Sequence, residues 1–114
     1  MIIIHKKSQK PLGINIKYAN SFFSRLLGVM FIKEMKGMDG VLLDPCNSIH
    51  NCFVRFSLDV VFIDKNLKVL KVIRNFKPWR FTKIYFRAKC VLELPAGKLI
   101  DEIKEGDELE VSGV

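Results

Sequence analysis

The sequence predicts a mainly β protein: one compact antiparallel β barrel or sandwich with one or two short helices packed against it. Three observations support this fold class. About seven short apolar or alternating stretches are separated by turn residues, as in antiparallel all-β domains. Apolar residues make up 49% of the chain, which is enough for a buried core. The length of 114 residues is that of one domain, which we assign to residues 1–114.

The first third of the chain predicts a strand followed by a helix. Pro11 and Gly13 indicate a turn, and residues 13–18 then alternate apolar and polar like a half-buried strand. Within residues 22–30, large apolar side chains recur at helical spacing, which predicts a short helix against the sheet. These side chains are Phe22, Phe23, Leu26, Leu27 and Met30.

The middle third predicts the centre of the sheet. Residues 41–43 form a short strand that ends at Asp44-Pro45. The most apolar stretch follows and predicts two adjoining strands, residues 48–55 and 58–63. Residues 64–66 are a predicted hairpin turn that leads into a third strand, residues 69–73.

The last third predicts a loop, two strands and a connecting turn. Residues 76–81 are an aromatic and basic loop around Pro78. A strand is expected over residues 85–94 and ends at the sequence Pro-Ala-Gly. Residues 98–104 are expected to form a short helix or a turn, and the alternating residues 108–111 a final strand.

The composition limits the compartment and the partners. Three cysteines without a C-x-x-C pair favour reduced thiols in the cytoplasm over a disulfide framework. Only the initial methionine and three isoleucines precede the polar residues that start at His5, fewer than a signal peptide needs. No stretch approaches the roughly 20 apolar residues of a membrane span. We therefore expect a cytoplasmic protein with no membrane partner.

The net charge of +7 is unevenly distributed along the chain. Residues 65–92 hold nine basic and no acidic side chains, whereas residues 93–114 hold two basic and seven acidic ones. These regions either complement each other within the fold or leave a basic region that attracts an anionic partner.

His50 is the first candidate for chemistry, because imidazole can donate, accept or ligate a metal near neutral pH. Cys46 and Cys52 lie close to it in sequence, but only His5 and Cys90 remain as further nitrogen or sulfur donors for a zinc site. We therefore predict no metal and no cofactor. A Cys52–His50 nucleophile pair is disfavoured because the two side chains would be neighbours on one strand face without facing each other.

Asp59 and Glu93 are the other candidates, because each carboxylate interrupts an apolar run. A carboxylate in such a place needs a partner or an opening to water, and Arg55 is the structural partner expected for Asp59. For Glu93 simple alternation explains an outward-facing position. The functional hypothesis is that His50, Asp59 and Glu93 converge as the polar groups of a pocket.

The segment from Lys65 to Leu92 predicts a different function, because its nine cations are interleaved with aromatic residues. Cations can follow phosphates while aromatic rings stack on bases. The simpler alternative is a solvated strand face, and no nucleotide-binding motif is present. The nucleic-acid candidates are Lys77, Trp79, Arg80 and Lys83.

Four blocks of the chain resemble the bacterial and archaeal family called domain of unknown function 192. Arg25–Phe31 is similar to the R-G-L-M-F-type helix signature of that family. Residues 48–56 with 58–64 resemble its central block, residues 91–97 its third block, and residues 103–107 its closing I-x-x-G-D. The blocks follow in the right order over nearly the whole chain.

This resemblance implies a compact, mostly antiparallel β domain with a short helix against the sheet, and it implies no established activity. It also draws attention to Gly97 and to the positions that we take as ligand-binding candidates. These are Arg25, Met30, His50, Phe53, Asp59 and Glu93.

Three hypotheses of function follow. The first is binding of a small molecule or peptide in a pocket beside His50 and Asp59. The second is an enzyme that uses the same two residues for general acid–base chemistry. The third is nucleic-acid binding through residues 65–92. Whether His50 and Asp59 share a face depends on the strand register, because a slip of one residue reverses every side chain.

Overall fold

The computed structural model describes residues 1–21, 35 and 37–113 and contains eight β-strands there. The strands are β1 (Ile2–His5), β2 (Lys10–Gly13), β3 (Ile16–Ala19), β4 (Gly40–Leu43), β5 (Leu58–Asp64), β6 (Val69–Phe76), β7 (Ala88–Pro95) and β8 (Leu109–Ser112). Within the described residues there is no helix, and residues 98–104 form turns. The helix expected over residues 22–30 lies outside the described residues. The described part also has no helix long and apolar enough to cross a membrane.

The strands form two sheets that pack face to face. One sheet has three strands in the order β2-β1-β8, and the other has five in the order β3-β4-β7-β5-β6. All pairs are antiparallel except β3 with β4, which run parallel. Neither sheet closes on itself, so the fold is a β sandwich, and the barrel form of the prediction does not apply.

Apolar side chains from both sheets form the inter-sheet core. Ile3, Leu12 and Leu109 of the small sheet face the large one. The large sheet and the turns beside it contribute buried apolar side chains to the same cluster. They include Ile16, Leu42, Val61, Ile63, Val69, Cys90, Leu92, Leu94, Leu99 and Ile103.

A second cluster, the outer core, covers the opposite face of the five-stranded sheet. Val41, Val60 and Val91 belong to it, and it is closed by Ile49 and Val54 of the segment between β4 and β5. The large sheet is thus buried on both faces. This explains why all seven residues of β5 are buried and why its sequence is a continuous apolar run rather than an alternating one.

The structure corrects two predicted elements. Residues 48–55 are not a strand; they form an irregular segment that covers the outer core. Residues 48–55 were expected to lie beside β5 in the sheet, but both edges of β5 are already paired, one with β6 and the other with β7. Pro11 and Gly13 belong to β2 rather than to a turn, and the turn lies at residues 6–9.

The predicted hairpin turn between β5 and β6 is confirmed. The carboxylate of Asp64 accepts hydrogen bonds from the N–H groups of Asn66 (2.8 Å) and Lys68 (3.0 Å) through Oδ1. The residue with a positive φ is Leu67, at 62°, and not the asparagine that favours this conformation. The side chain of Asp64 therefore fixes the turn.

Candidate binding surface

Asp59 lies in the interior and holds three backbone segments together. Its Oδ1 accepts from the N–H of Asn75 at 2.9 Å. Its Oδ2 accepts from the N–H groups of Gly97 (2.9 Å) and Leu99 (3.3 Å). Arg55, the partner expected from the sequence, is exposed, so three peptide groups take the role that was assigned to it. An acceptor with two oxygens suits this position because all three partners are donors.

Glu93 is also buried, but it lies on the other face of the sheet. In the middle of β7 it pairs with Val41 on β4 and with Val60 on β5, and both valines belong to the outer core. Burial raises the pKa of the Glu93 carboxyl to about 8. The outward-facing position expected from alternation is therefore wrong. At neutral pH the carboxyl holds its proton.

The structure separates the three residues that were expected to converge. Asp59 shares its face of β5 with Val61 of the inter-sheet core, because side chains alternate along a strand. His50 lies in the segment that covers the opposite face, between buried Ile49 and buried Asn51. The sheet itself therefore stands between Asp59 and His50, and Glu93 is on the side of His50.

A ladder of hydrogen bonds joins residues 47–51 to residues 79–85. The N–H of Asn51 donates to the carbonyl of Arg80 (2.8 Å), and the N–H of Trp79 donates to the carbonyl of Asn51 (2.9 Å). Two hydrogen bonds, each of 2.9 Å, join Ile49 and Thr82. The N–H of Thr82 donates to the carbonyl of Ile49, and the N–H of Ile49 donates to Oγ1 of Thr82. These bonds turn two irregular segments into one platform.

The side chain of Asn51 attaches this platform to the sheet. It is fully buried, and its amide nitrogen donates to the carbonyl of Phe76 at 3.0 Å, at the end of β6. Its Oδ1 is buried without a hydrogen-bond partner among the described residues. The geometry shows that Asn51 anchors the platform, although the apolar surroundings gave no sign of this in the sequence.

Three large rings are exposed to solvent at the platform: Trp79 and Phe81 belong to it, and Phe53 lies two residues beyond its first segment. Phe53 is 50% exposed, Trp79 60% and Phe81 75%. The Phe53 and Trp79 rings meet edge to face with centroids 4.8 Å apart, and the ring of His50 lies 6.3 Å from that of Phe81. Phe53 and Trp79 both have left-handed backbone conformations, with φ of 62° and 64°, which are uncommon for large side chains and concentrate at functional sites.

Three exposed cations lie close in sequence to Trp79 and Phe81. Lys77, Arg80 and Lys83 are exposed, and none of them pairs with a carboxylate among the described residues. The ammonium of Lys83 lies 5.0 Å from the centroid of the Tyr85 ring, within the range of a cation–π contact. We call the three rings of Phe53, Trp79 and Phe81, together with these three cations, the aromatic–basic surface. All four nucleic-acid candidates from the sequence belong to it.

The remaining candidates lie elsewhere. Arg25 and Met30 fall outside the described residues. The N–H of Cys52 donates to Nδ1 of His50 at 3.2 Å, so the described contact between these residues involves the backbone and not the thiol. Burial raises the pKa of the Cys90 thiol to about 12, which keeps it protonated and unreactive. No group of three potential metal ligands occurs within residues 1–21, 35 and 37–113.

Sequence reasoning missed one buried polar cluster, that of His5. Its Nδ1 lies 2.6 Å from Oγ of Ser8 and its Nε2 lies 2.7 Å from Oδ2 of Asp107. This hydrogen bond with His5 lowers the pKa of the Asp107 carboxyl. A signal was present, because alternation in β1 puts His5 on the same face as Ile3. The cluster ties the first hairpin to the turn before β8.

The fold and the surface define a class: a two-sheet β sandwich that presents exposed rings and cations at a hydrogen-bonded platform. The chain belongs to the family domain of unknown function 192, described as "Uncharacterized ACR", whose model matches residues 3–111. This family and its similar relatives are uncharacterised.

Archaeal relatives support this assignment. A UPF0127 protein of Pyrococcus furiosus is 34% identical over 106 residues, covering 89% of this chain and 90% of the relative. A UPF0127 protein of Pyrococcus horikoshii is 36% identical over 117 residues, covering 96% of this chain and 97% of the relative.

Two solved structures share the fold. One, from Sinorhizobium meliloti and described as "a putative transcription regulator", has a TM-score of 0.80 at 22% identity and covers 96% of this chain and 89% of its own. The other, a protein of unknown function from Novosphingobium aromaticivorans, has a TM-score of 0.72 at 18% identity and covers 97% and 93%. At these identities the likeness is one of fold.

Proposed function

We propose that this protein binds single-stranded nucleic acid through the aromatic–basic surface. The observation that carries this proposal is the exposure of Phe53, Trp79 and Phe81 on a hydrogen-bonded platform among cations that lack carboxylate partners in the described chain. Rings that stack on bases and cations that follow the phosphates are the two components of sequence-tolerant single-strand binding.

The rigidity of the platform favours binding by these rings. Large apolar side chains are normally buried, so a group of exposed rings indicates an interaction site. The ladder between residues 47–51 and 79–85 holds the backbone in place, which lowers the entropy lost when a base stacks on Trp79 or Phe81. Each stacked base is worth about 1–3 kcal/mol.

The charge of the segment supports an anionic partner over a neutral one. Residues 65–92 hold nine basic and no acidic side chains. Among the described C-terminal acids, Glu105 pairs with one of these cations, Lys71, at 3.7 Å, and three others pair outside the segment. Glu102 contacts Lys10, Glu108 contacts Lys6, and Asp107 contacts His5. The C-terminal acids therefore do not neutralise the cations around Trp79.

The alternative pocket beside His50 and Asp59 has less geometric support. The sheet separates these residues, and three backbone N–H groups already occupy the Asp59 carboxylate. His50 keeps a place in the proposal through its ring, which lies beside Phe81. We propose the cytoplasm as the compartment, which is supported by three cysteines that form no disulfide with one another.

A binding titration with labelled oligothymidylate tests the proposal, and Trp79, the only tryptophan, is an internal reporter. We expect binding that quenches Trp79 fluorescence and weakens steeply with salt, because phosphate contacts release counterions. Phe81→Ala should weaken binding about tenfold or more, since one stacking contact is lost. Arg80→Glu should weaken binding and reduce the salt dependence.

Matched controls separate the surface from general effects. Ile14→Ala removes an exposed apolar side chain that is more than 35 positions from Phe53 and Trp79 in the sequence. Lys98→Glu reverses an exposed charge outside residues 65–92. Both variants should bind the oligonucleotide with the wild-type affinity. The proposal is wrong if no oligonucleotide binds at low salt, or if Phe81→Ala and Ile14→Ala bind equally well. Preferential binding of an acidic peptide would likewise contradict it.

A further inference from the structure

A groove lies between the β5–β6 turn and the start of β7, and we call it the turn groove. Its volume is about 770 Å³, within the range of sites that hold small molecules. Lys65 and Asn66 of the turn line it, and so do Phe86 and Arg87. Asn47 also lines it, next to the ladder that supports the aromatic–basic surface.

The charges that line the turn groove leave two cations available. Lys89 is engaged, because its ammonium lies 3.1 Å from Oδ2 and 3.2 Å from Oδ1 of Asp44. Asp64 is the one carboxylate among the lining residues, and its Oδ1 accepts two backbone N–H groups of the turn. Lys65 and Arg87 are exposed and make no ion pair with a described carboxylate.

Phe86 supplies a stacking surface in the same groove. Its side chain is 85% exposed, the highest value among the large apolar residues described. An isolated ring of this exposure gains little from the fold, whereas it offers a full face to a base. Arginine complements it, because its planar guanidinium binds phosphate with two donors.

The turn groove lies at the end of the ladder opposite to Trp79. Residues 79–85 run antiparallel along residues 51–47, and the last bond of this ladder joins the N–H of Tyr85 to the carbonyl of Asn47 at 2.8 Å. Trp79 lies at one end of this ladder, and Asn47 and Phe86 line the groove at its other end. The seven steps from Trp79 to Phe86 span at most about 25 Å of extended chain.

We propose that the turn groove holds a terminal nucleotide of the bound strand, with its phosphate between Lys65 and Arg87 and its base on Phe86. This inference rests on the proposed function, since it places the strand along residues 79–87. The complementarity of two available cations and a ring to a phosphate and a base carries the proposal. The surface around Trp79 binds one part of the strand and the groove binds the next.

The length dependence of binding tests this inference. Oligothymidylates of about four to sixteen nucleotides are titrated against the wild type, Phe86→Ala and Arg87→Glu. We expect each variant to weaken the longer oligomers about tenfold while the shortest oligomers bind as they do to the wild type. Ile84→Ala is the matched control, because Ile84 is exposed in the same segment but does not line the groove and cannot stack as a ring.

The outcomes separate the groove from the proposed function. If long oligomers quench Trp79 and bind both groove variants as tightly as the wild type, the groove assignment is wrong and the proposed function stands. If Ile84→Ala weakens long oligomers as much as Phe86→Ala, stacking in the groove is also excluded. If no oligomer of any length changes Trp79 fluorescence or label anisotropy at low salt, both proposals are wrong.

Discussion

At the scale of single residues, Asp59 shows how a buried carboxylate can serve the backbone alone. Its two oxygens accept from Asn75 at the end of β6 and from Gly97 and Leu99 after β7. Gly97 has a φ of 88°, a conformation that favours glycine, so the turn after β7 combines a fixed glycine with a fixed acceptor. The side chain thereby closes one end of the five-stranded sheet.

We predict that Asp59→Asn destabilises the protein by about 1–3 kcal/mol. The amide nitrogen of asparagine is a donor, so at least one of the three N–H groups, of Asn75, Gly97 or Leu99, loses its acceptor. The measurement is urea unfolding, in which the midpoint should fall while the slope is unchanged. Asp101→Asn is the control, because Asp101 is exposed and its side chain makes no hydrogen bond described in the structure. Equal midpoints for the two variants would refute the role given to Asp59.

At the scale of elements, the platform depends on a side chain that belongs to neither sheet. Asn51 donates to Phe76 and lies beneath the ladder that carries Trp79 and Arg80. We predict that Asn51→Ala loosens the platform and leaves the sheets intact. Hydrogen exchange at the N–H groups of Trp79 and Thr82 should accelerate about tenfold, the equivalent of about 1.4 kcal/mol, while exchange in β5 and β7 is unchanged.

Asn47→Ala is the matched control for this prediction. Asn47 lies in the same segment, but its side chain is exposed and only its carbonyl takes part in the ladder. Exchange at Trp79 should therefore stay at the wild-type rate in Asn47→Ala. If acceleration occurred equally in both variants, or spread to β5, the platform would not be a separate unit anchored by Asn51.

The elements also show how much of the fold follows from the sequence. β5, β6 and β7 were predicted at nearly their observed positions, because long apolar runs bounded by turn residues leave few alternatives. Residues 48–55 were assigned to a strand for the same reason, yet they form an irregular segment that packs over the outer core. Local pattern cannot distinguish the two, since the difference depends on which neighbours β5 already has.

The candidate site was predictable in composition and not in arrangement. The aromatic and basic loop around Trp79 was visible as a pattern, and the rings and cations are exposed in the structure. The pairing of that loop with residues 47–51 depends on hydrogen bonds between segments about 30 positions apart, which no periodicity encodes. His50 is separated from Asp59 for the same reason, because residues 47–51 pair with residues 79–85 across the outer face of the sheet.

At the scale of the whole molecule, two carboxyls give opposite contributions to the dependence of stability on pH. The hydrogen bond with His5 lowers the pKa of Asp107 below 3.8, so its contribution is present above that pH and is lost as the pH falls through the folded-state pKa. Burial raises the pKa of Glu93 from 4.5 to about 8. Between pH 4.5 and about 8, the Glu93 carboxyl is therefore ionised in the unfolded chain but keeps its proton in the folded protein.

We predict that the free energy of unfolding declines between pH 4.5 and about 8, by up to about 1.4 kcal/mol per pH unit, and levels off above. The sign follows because the unfolded state binds fewer protons than the folded state in this range. Glu93→Gln should abolish the decline, since a neutral amide does not titrate. The measurement is urea unfolding at several pH values.

A control variant distinguishes two causes of the decline in the free energy of unfolding: ionisation of the buried Glu93 and a change in the protein's net charge. Glu110→Gln removes an exposed carboxyl from β8 and changes the formal net charge of the sequence, and therefore the charge of the unfolded chain, by the same amount as Glu93→Gln. If general charge repulsion governed the profile, both variants would shift it alike. We expect the decline to persist in Glu110→Gln and to vanish in Glu93→Gln, because only Glu93 lies between Val41 and Val60 in a sheet that excludes water from both faces. Parallel profiles for the two variants would show that Glu93 ionises freely in the folded protein.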